Sequence, residues 1–168
     1  MGAARLIELQ FSRRNIKSSL EPVEGRWSRR TYPLMVALHT AVIGGTFLVG
    51  GSVRGRWLTL LLAVQPMRVW VLLSLGRSWN TRGAVADDIE VVTTGPYAYV
   101  RHPNYAIVIT ELASLPAAFG LGRLAIVATL VNALLLKIRI EEEEALLFQQ
   151  PAYRAHFAEK RRFLPFLV

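Results

Sequence analysis

Residues 95–105 read Gly-Pro-Tyr-Ala-Tyr-Val-Arg-His-Pro-Asn-Tyr, a polar segment with two prolines directly before an apolar stretch. Its guanidinium, imidazole and phenol groups can bind anions, hydroxyls and aromatic rings. Farther along the chain, residues 141–144 form an unbroken run of four glutamates. Carboxylates suit an ammonium group or sugar hydroxyls. A pocket built from both segments would bind a small molecule that carries groups of each kind.

The elements that must position these residues are apolar. The chain is 52% hydrophobic, with mean hydropathy +0.32 and a net charge of +8, so its apolar and basic residues are segregated. Four apolar stretches, 33–51, 57–75, 105–119 and 123–140, approach the ~20 residues that a helix needs to cross the hydrocarbon layer. Backbone polar groups find no water in lipid, so such spans must be helical. The sequence predicts an all-α, polytopic membrane helix bundle with four spans.

The other segments complete a single domain over residues 1–168. Residues 1–31 contain an amphipathic helix from Ala3 to Lys17, which is too short and too charged to span and is expected at the interface or packed on a partner. The first two spans occupy 33–75, a loop 76–104, a helical hairpin with a glycine turn 105–140, and a C-terminal segment 141–168.

Basic residues predict the orientation. Sixteen of the twenty Lys and Arg residues lie before the first span, in the 76–104 loop or at the C-terminal end. The positive-inside rule places these regions, and both termini, in the cytoplasm. The hairpin returns its two ends to this side, so residues 95–105 should meet the glutamate run there. The predicted pocket has Tyr97, Arg101, His102 and Tyr105 on one wall and Arg139 with the glutamates on the other.

Composition argues against several classes of function. The pI of about 10.6 follows from basic residues beside apolar spans, which we ascribe to topology and anionic lipid rather than to nucleic-acid binding. There are no cysteines, and the three histidines are widely separated. We therefore expect no thiolate chemistry, no metal and no nucleic-acid partner. The oligomeric state is left open.

Polar side chains inside the spans allow two interpretations. Arg68 lies in the second span beside Pro66, Glu111 lies in the third and Asn132 in the fourth. Such groups face the bundle interior or a polar cavity. Arg68 and Glu111 either form a structural ion pair or face a substrate. Asn132 either forms a hydrogen bond to a neighbouring helix or faces a substrate.

The residues alone leave the ligand open. Carboxylates suit an ammonium group or ribose, an arginine beside a histidine suits a carboxylate, and aromatic faces suit an adenine or a sulfonium. S-adenosylmethionine satisfies each of these requirements. A nucleotide or an anionic lipid headgroup also fits.

Several motifs resemble those of a known family. The sequence resembles the isoprenylcysteine carboxyl methyltransferase family of membrane enzymes at Gly95-Pro96-Tyr97, Arg101-His102-Pro103-Asn104-Tyr105, the glutamate run, Tyr153 and the closing Arg161-Arg162-Phe163-Leu164-Pro165. The segment that precedes these motifs, Leu75-Gly76-Arg77-Ser78-Trp79-Asn80, is also similar to the corresponding segment of the family. More narrowly, the sequence resembles a small bacterial branch associated with type III polyketide synthases that methylates alkylpyrones. The residues that carry this resemblance are Arg5-Leu6 with Glu8-Leu9, Arg14-Asn15, Tyr32-Pro33 with His39, Asn104 and Glu111. The branch resemblance implies a further membrane helix upstream, where this sequence has only residues 1–4.

The resemblance implies O-methylation of a lipophilic acceptor, an alkylpyrone enol or an isoprenylcysteine carboxylate, with S-adenosylmethionine as cofactor. The cofactor residues it implies are Tyr97, Val100, Arg101, His102, Pro103, Tyr105, Arg139, Glu142 and Glu143. Counting the register back from Tyr153 favours Glu141 and Glu142 as the pair of carboxylates, and counting it from Leu146 favours Glu142 and Glu143. Trp79, Asn104 and Glu111 fall on the acceptor side, and Arg161, Arg162 or Arg68 orients the acceptor oxygen. Because these acceptors are largely anionic at neutral pH, we predict no dedicated general base.

Two alternatives stand beside this one. Arg-His-Pro-Asn-Tyr also resembles the C-terminal part of membrane sterol reductases, which implies an NADPH-dependent reductase, although the sequence has no Gly-rich phosphate loop. The other alternative is a non-enzymatic, lipid-binding membrane bundle.

Overall fold

The computed structural model describes residues 2–18, 23–82, 84–85 and 90–164. Within these ranges the chain forms six α-helices: α1 (Gly2–Ser18), α2 (Arg26–Val49), α3 (Gly55–Leu75), α4 (Pro103–Ala118), α5 (Gly122–Leu147) and α6 (Pro151–Phe157). Two 3-10 turns, Gly76–Ser78 and Gly95–Ala98, lie between α3 and α4. The described residues form isolated β-bridges but no longer strand. The all-α prediction is confirmed; Pro165 of the closing motif lies outside the described residues.

The four predicted apolar stretches coincide with α2, α3, α4 and α5. Helix α4 begins at Pro103, because proline has a suitable φ and needs no hydrogen-bond acceptor in the first turn. The turn after α4 passes through Gly120 at φ +81°, a backbone conformation that residues with a Cβ rarely adopt. Helices α4 and α5 then pack against each other and form a helical hairpin.

Within the described ranges, two helical segments are long and apolar enough to cross a membrane, Arg26–Val49 and Gly55–Ser78. Both leave large apolar side chains uncovered, including Leu48 (87% exposed) and Leu73 (77%). Such faces suit lipid better than water. Helix α4 has only 16 residues, and the 26-residue α5 carries Lys137 and Arg139 in its apolar part. Length and composition thus identify two of the four predicted spans, and the other two stay predictions.

Helix α4 is the centre of the bundle and packs against α2, α3 and α5. On its surface Tyr105 contacts Leu136 and Ile140 of α5, with Met35 of α2 alongside. One layer away, Leu112 packs with Val42 of α2 and Ala128 of α5. Moving forward along α2 therefore means moving backward along α5, so these two helices run antiparallel.

A buried ion cluster ties α1 to the bundle. Arg68 Nε donates to Glu8 Oε1 at 2.7 Å, and Arg68 Nη1 donates to Glu111 Oε2 at 2.8 Å. Gln65 Nε2 also donates to Glu111 Oε1, at 3.0 Å. Of the two interpretations of Arg68 and Glu111, the structure therefore agrees with the structural ion pair. Glu8 is a further partner of Arg68 that the sequence does not predict. Helix α1 is packed on the bundle through this contact.

Candidate functional site

A cavity of about 270 Å³ lies between α2, α4 and α5 and is bounded by the connection from α3 to α4. Its polar lining is Glu8, Tyr32, His39, Thr40, Ser78, Trp79, Asn80, Thr81, Glu90, Tyr97, Arg101, His102, Asn104, Tyr105, Arg139, Glu143, Gln150 and Tyr153. Toward the middle of the helices the lining becomes mainly apolar, with Val36, Ile43, Val108 and Leu136. The cavity therefore has a polar part near the start of α4 and a mainly apolar part deeper in the bundle.

Gly95 sets the start of the polar segment. Its φ is +60°, and an added Cβ would collide with Ser74 Oγ of α3. The 3-10 turn that follows places Tyr97 in a cluster with Val71 and Tyr153. Burial raises the pKa of Tyr97 well above its ordinary value, and it raises the pKa of Tyr153 too. Both phenols therefore stay neutral and keep a proton to donate.

Three side chains from α4 and α5 bond one another on the cavity wall. Arg139 Nε donates to the Tyr105 hydroxyl at 2.8 Å, and that hydroxyl donates to Glu143 Oε2. Arg139 and Glu143 are four residues apart, so they share one face of α5. The predicted meeting of segment 95–105 with the glutamate run is therefore observed at this point.

Glu142 has a different partner. Its carboxylate accepts from the backbone N–H of Trp27 at 3.0 Å and of Ser28 at 2.6 Å, at the start of α2. Gly25 leaves room for this contact, since a Cβ there would collide with the Glu142 side chain. A carboxylate at a helix N-terminus satisfies free donors and the helix dipole. Glu142, which both register counts favour as a cofactor ligand, is placed as a cap and does not line the cavity.

Glu144, to which the sequence assigns no role of its own, holds the C-terminal segment. It is bound by Arg162 Nη2 at 2.6 Å, His102 Nε2 at 3.0 Å and Arg101 Nη1 at 3.4 Å. Burial opposes its ionisation, but the hydrogen bonds from His102 and Arg162 prevail and lower the pKa of Glu144 to about 2. Backbone bonds from Arg101 N to Arg161 O (2.9 Å) and from His102 N to Arg162 O (2.8 Å) run alongside.

Helical geometry explains why the four glutamates differ. Successive residues on a helix point about 100° apart, so each faces another neighbour. Glu141 is exposed, Glu142 caps α2, Glu143 faces the cavity and Glu144 binds the C-terminal segment. The rotation of α5 about its axis decides which carboxylate serves which role.

The structure brings eight of the predicted site residues to the cavity: Trp79, Tyr97, Arg101, His102, Asn104, Tyr105, Arg139 and Glu143. Val100 and Pro103 are buried beside them without lining it. Tyr153 and His39 also line the cavity. Both belong to the motifs that resemble the family, but the sequence predicts no role for them.

The arginines predicted to orient the acceptor lie elsewhere. Arg68 is enclosed by Glu8 and Glu111, Arg161 is exposed, and Arg162 is bound to Glu144. Glu111, predicted on the acceptor side, is part of the ion cluster. The arginines that do line the cavity are Arg101 and Arg139.

Several buried polar atoms on cavity residues have no hydrogen-bond partner within the described part of the chain: Trp79 Nε1, Arg101 Nε, Asn104 Oδ1 and the Tyr153 hydroxyl. Leaving such a group unpaired costs about 1–3 kcal/mol, so neighbouring unpaired groups indicate a binding site for water or a ligand. The indole and guanidinium donate, the amide oxygen accepts, and a hydroxyl does both. The cavity therefore presents donors and acceptors to a polar ligand.

Comparison with known proteins defines the class. Residues 57–149 match the model of the isoprenylcysteine carboxyl methyltransferase (ICMT) family. This stretch runs from α3 to the end of α5 and contains most of the polar cavity lining. The chain belongs to this family, as its motifs predict, and membership indicates a membrane methyltransferase.

Two relatives cover most of the chain. "Uncharacterized protein YpbQ" of Bacillus subtilis (strain 168) is 31% identical over 150 residues, which is 85% of this chain and 89% of the relative. A Haemophilus influenzae protein (strain ATCC 51907 / DSM 11121 / KW20 / Rd), named only as uncharacterized, is 24% identical over 151 residues, covering 85% of this chain and 88% of its own length. Neither name states an activity, so neither relative identifies the methyl acceptor.

Proposed function

We propose that this protein is an S-adenosylmethionine-dependent O-methyltransferase that acts on a lipophilic acceptor at the membrane. One observation carries the proposal. Within the family-matched stretch, Tyr105, Arg139 and Glu143 meet on a cavity that Trp79 and Asn104 also line. The buried Trp79 Nε1 and Asn104 Oδ1 have no hydrogen-bond partner among the described residues. Family membership supports methyl transfer, and the donor set supports this cofactor.

The residues present fit the groups of S-adenosylmethionine. Glu143 and Glu90 offer carboxylate oxygens for its ammonium group or ribose hydroxyls, and Arg101 and Arg139 offer cations for its carboxylate. Tyr97, Tyr105 and Tyr153 present aromatic rings for an adenine or, through cation–π attraction, a sulfonium. The unpaired donors and acceptor on the cavity residues leave bonds for the ligand to complete.

When bound, this cofactor supplies a methyl group whose carbon–sulfur bond breaks as the acceptor oxygen forms the new carbon–oxygen bond. Such an in-line displacement depends on alignment and on exclusion of water. The protein's part is to orient both reactants in a closed space. Buried side chains at the polar part of the cavity, including Tyr97, His102 and Tyr105, are suited to that role.

The acceptor would enter from the lipid. Exposed apolar side chains on α2, α3 and α5, such as Leu48, Leu73 and Leu134, support a bundle in which all four helices from α2 to α5 lie in the membrane. The accumulation of Lys and Arg supports cytoplasmic termini. The deep part of the cavity, with Val108 and Leu136, suits an alkyl or prenyl tail. An alkylpyrone enol and an isoprenylcysteine carboxylate are the acceptors of this kind.

Calorimetry on detergent-purified protein tests the cofactor. We expect S-adenosylmethionine and S-adenosylhomocysteine to bind and raise the melting temperature, and NADPH to do neither. Glu143→Gln should weaken binding about tenfold or more, because a hydrogen bond to a charged group contributes about 1.5–3 kcal/mol. Glu142→Gln is the matched control on the same helix: it removes the α2 cap and should lower stability without changing affinity.

One result would contradict the proposal, and another would change the residues assigned to the cofactor. Stabilisation by NADPH alone would favour a reductase. Loss of S-adenosylmethionine binding in Glu142→Gln but not in Glu143→Gln would reverse the assignment of the two carboxylates. Mass spectrometry of candidate lipids incubated with protein and cofactor then tests the reaction, since the product should gain one methyl group on oxygen.

A further inference from the structure

Helix α1 buries polar side chains and leaves apolar ones exposed. Among its described side chains the two most buried are polar, Glu8 (6% exposed) and Ser12 (1%), four residues apart on one face. Ile7 and Phe11, on a neighbouring face, are 54% and 56% exposed. A helix on the surface of a water-soluble domain has the opposite arrangement, with its apolar face covered. The polarity of α1 therefore indicates that its outer face meets an apolar medium.

Helix α1 runs beside α3 and in the same direction. In its first half, the Glu8 carboxylate accepts a hydrogen bond from Arg68 Nε at 2.7 Å. Farther along, Asn15 Nδ2 donates to Trp79 O at 2.7 Å and to Gly76 O at 3.1 Å, just after α3 ends. From residue 8 to 15 the rise is about 10 Å, and from 68 to 76 about 12 Å, at 1.5 Å per residue. A helix that lay across α3 would meet it at one level only, so the two helices lie side by side.

Helix α3 gives the depth of these contacts. It belongs to the segment Gly55–Ser78, which is long and apolar enough to cross a membrane. Arg68 lies about 10 Å from the end of α3 at Leu75, again at 1.5 Å per residue. The apolar residues of α3 next to Arg68 are exposed: Met67, Val69 and Trp70. Ile7 adjoins Glu8 in the sequence, so it lies at a similar depth and extends the exposed apolar surface of α3.

The exposed charges of α1 lie in its second half. They are Arg13, Arg14 and Lys17, near the level at which α3 ends. From Ile7 to Ser12 the only charged side chain is Glu8, which is buried against Arg68, and the exposed Gln10 is uncharged. Cationic side chains at the end of a membrane helix reach the headgroups, while ionisable groups at greater depth face the bundle and pair with one another. The charges of α1 follow this distribution.

Helix α1 also separates its outer face from the cavity. Leu9 lines the cavity, whereas Ile7 is exposed and lies outside the lining. Two positions along a helix correspond to a rotation of about 200°, so these side chains point to nearly opposite sides. Ser12 Oγ accepts from the backbone N–H of Thr81, another lining residue, at 2.8 Å. One helix thus forms the wall between the cavity and whatever surrounds the bundle on this side.

We propose that α1 is inserted into the membrane beside α3 and that its outer face is a lipid-binding surface. Ile7 and Phe11 contact the acyl chains. The exposed basic residues of its second half contact the phosphate groups of the headgroups. Acyl chains are the partner that fits, because this surface continues the exposed apolar surface of α3 at a depth where the membrane holds no water. Such a helix enters the membrane along α3 and does not lie in the plane of the interface.

Spin labels at single cysteines test the proposal, because the sequence has no natural cysteine. The labelled variants of α1 are Ile7→Cys, Phe11→Cys and Lys17→Cys, in protein reconstituted into vesicles of phosphatidylcholine and phosphatidylglycerol. Leu73→Cys on α3 is the lipid-exposed control, and Glu159→Cys after α6 is the water-exposed control. Power saturation compares the collisions of each label with oxygen, which concentrates in lipid, and with a water-soluble nickel chelate. Labels at residues 7 and 11 should match the lipid control, and the label at residue 17 should approach the water control.

The depths of the labels give a second measure. Ile7 and Lys17 are separated by about 15 Å along a helix at 1.5 Å per residue, so their labels should differ in depth by about that amount, reduced by any tilt. Equal depths would place α1 in the plane of the interface and overturn the proposal. A label on Phe11→Cys as open to the nickel chelate as the water control would overturn it as well. A label shielded from both reagents would show that protein, such as a second copy of this chain, covers the face in place of lipid. Ile7→Cys provides the same comparison if Phe11→Cys does not fold.

Discussion

Two clusters of buried charge in this bundle differ in whether their hydrogen bonds are complete. In the first, Arg68 bonds Glu8 and Glu111, and the three side chains are 5%, 8% and 2% exposed. In the second, Arg139, Tyr105 and Glu143 bond one another beside cavity residues whose buried polar atoms have no partner among the described residues. Both place charged side chains from apolar helices in the bundle interior, Arg68 and Glu111 in one and Arg139 in the other, which by itself marks either as a candidate site.

Complete hydrogen bonding distinguishes a structural charge from one that can bind a ligand. The guanidinium of Arg68 donates through Nε, Nη1 and Nη2 to two carboxylates, so it has little left to offer a substrate. At the cavity, Trp79 Nε1 and the Tyr153 hydroxyl have no hydrogen-bond partner among the described residues, so they can bond a ligand or water. Loss of a group from the closed Arg68 cluster should therefore affect folding. Loss of a group from the cavity should affect binding.

The largest effect is expected from Arg68→Met. Removing one partner from a buried ion cluster leaves uncompensated charge and costs about 3–5 kcal/mol, so the unfolding transition in detergent should fall sharply. The affinity of the remaining folded protein for S-adenosylmethionine should be unchanged. The combined replacement Glu8→Gln, Arg68→Met and Glu111→Gln is the control, and it should recover much of the loss because these three charges are removed together. Reduced affinity for S-adenosylmethionine with normal stability would show that Arg68 takes part in ligand binding.

A smaller and opposite effect is expected from Tyr153→Phe. It removes a buried donor that has no partner in the described structure, so the free protein should be as stable as wild type or slightly more stable. A hydrogen bond contributes about 0.5–1.5 kcal/mol net, which predicts roughly a 2- to 12-fold weaker affinity for S-adenosylmethionine in calorimetry. Tyr105→Phe is the contrast, since its hydroxyl already bonds Arg139 and Glu143, and it should lower stability as well. Lower stability without weaker binding in Tyr153→Phe would contradict the comparison.

The sequence predicts the framework well, because local patterns determine it. Apolar stretches define the helices from α2 to α5, and Gly120 marks the hairpin turn that brings residues 95–105 to the glutamate run. Local patterns do not determine the count of membrane spans, because the 16 residues of α4 are fewer than the ~20 that a span requires. A short helix enclosed by its neighbours and a membrane span look alike in sequence.

The sequence does not predict which polar group meets which. The choice among Glu142, Glu143 and Glu144 depends on the rotation of α5, and a change of one residue turns a side chain by about 100°. Arg161 and Arg162 stand in a resembling motif, yet backbone pairing with residues 101–102 directs them away from the cavity. The bond between Glu8 and Arg68 joins residues sixty positions apart. Such contacts follow from packing of whole helices rather than from any local pattern.

The smallest effect concerns Glu144, which belongs to neither cluster and fastens the C-terminal segment beside the cavity. Its pKa is lowered from 4.5 to about 2 in the folded protein. Because the folded value is the lower one, Glu144 contributes fully to stability above about pH 4.5 and loses that contribution as the pH falls toward 2. Hydrogen exchange should report this at Arg101 and His102, whose amides bond the backbone of residues 161 and 162.

In wild-type protein, protection of these two amides should decline between pH 4.5 and 2 more than protection of the central amides of α4. Glu144→Gln keeps the side-chain shape without the charge, so its protection should already be low at neutral pH and change little across the same window. Persistent wild-type protection at pH 2 would mean that the backbone pairing, rather than the carboxylate, holds the segment. In that case Glu144 would differ from the Arg68 cluster despite its ion pairs. Its charge could be removed without opening the structure around it, whereas the charge of Arg68 could not.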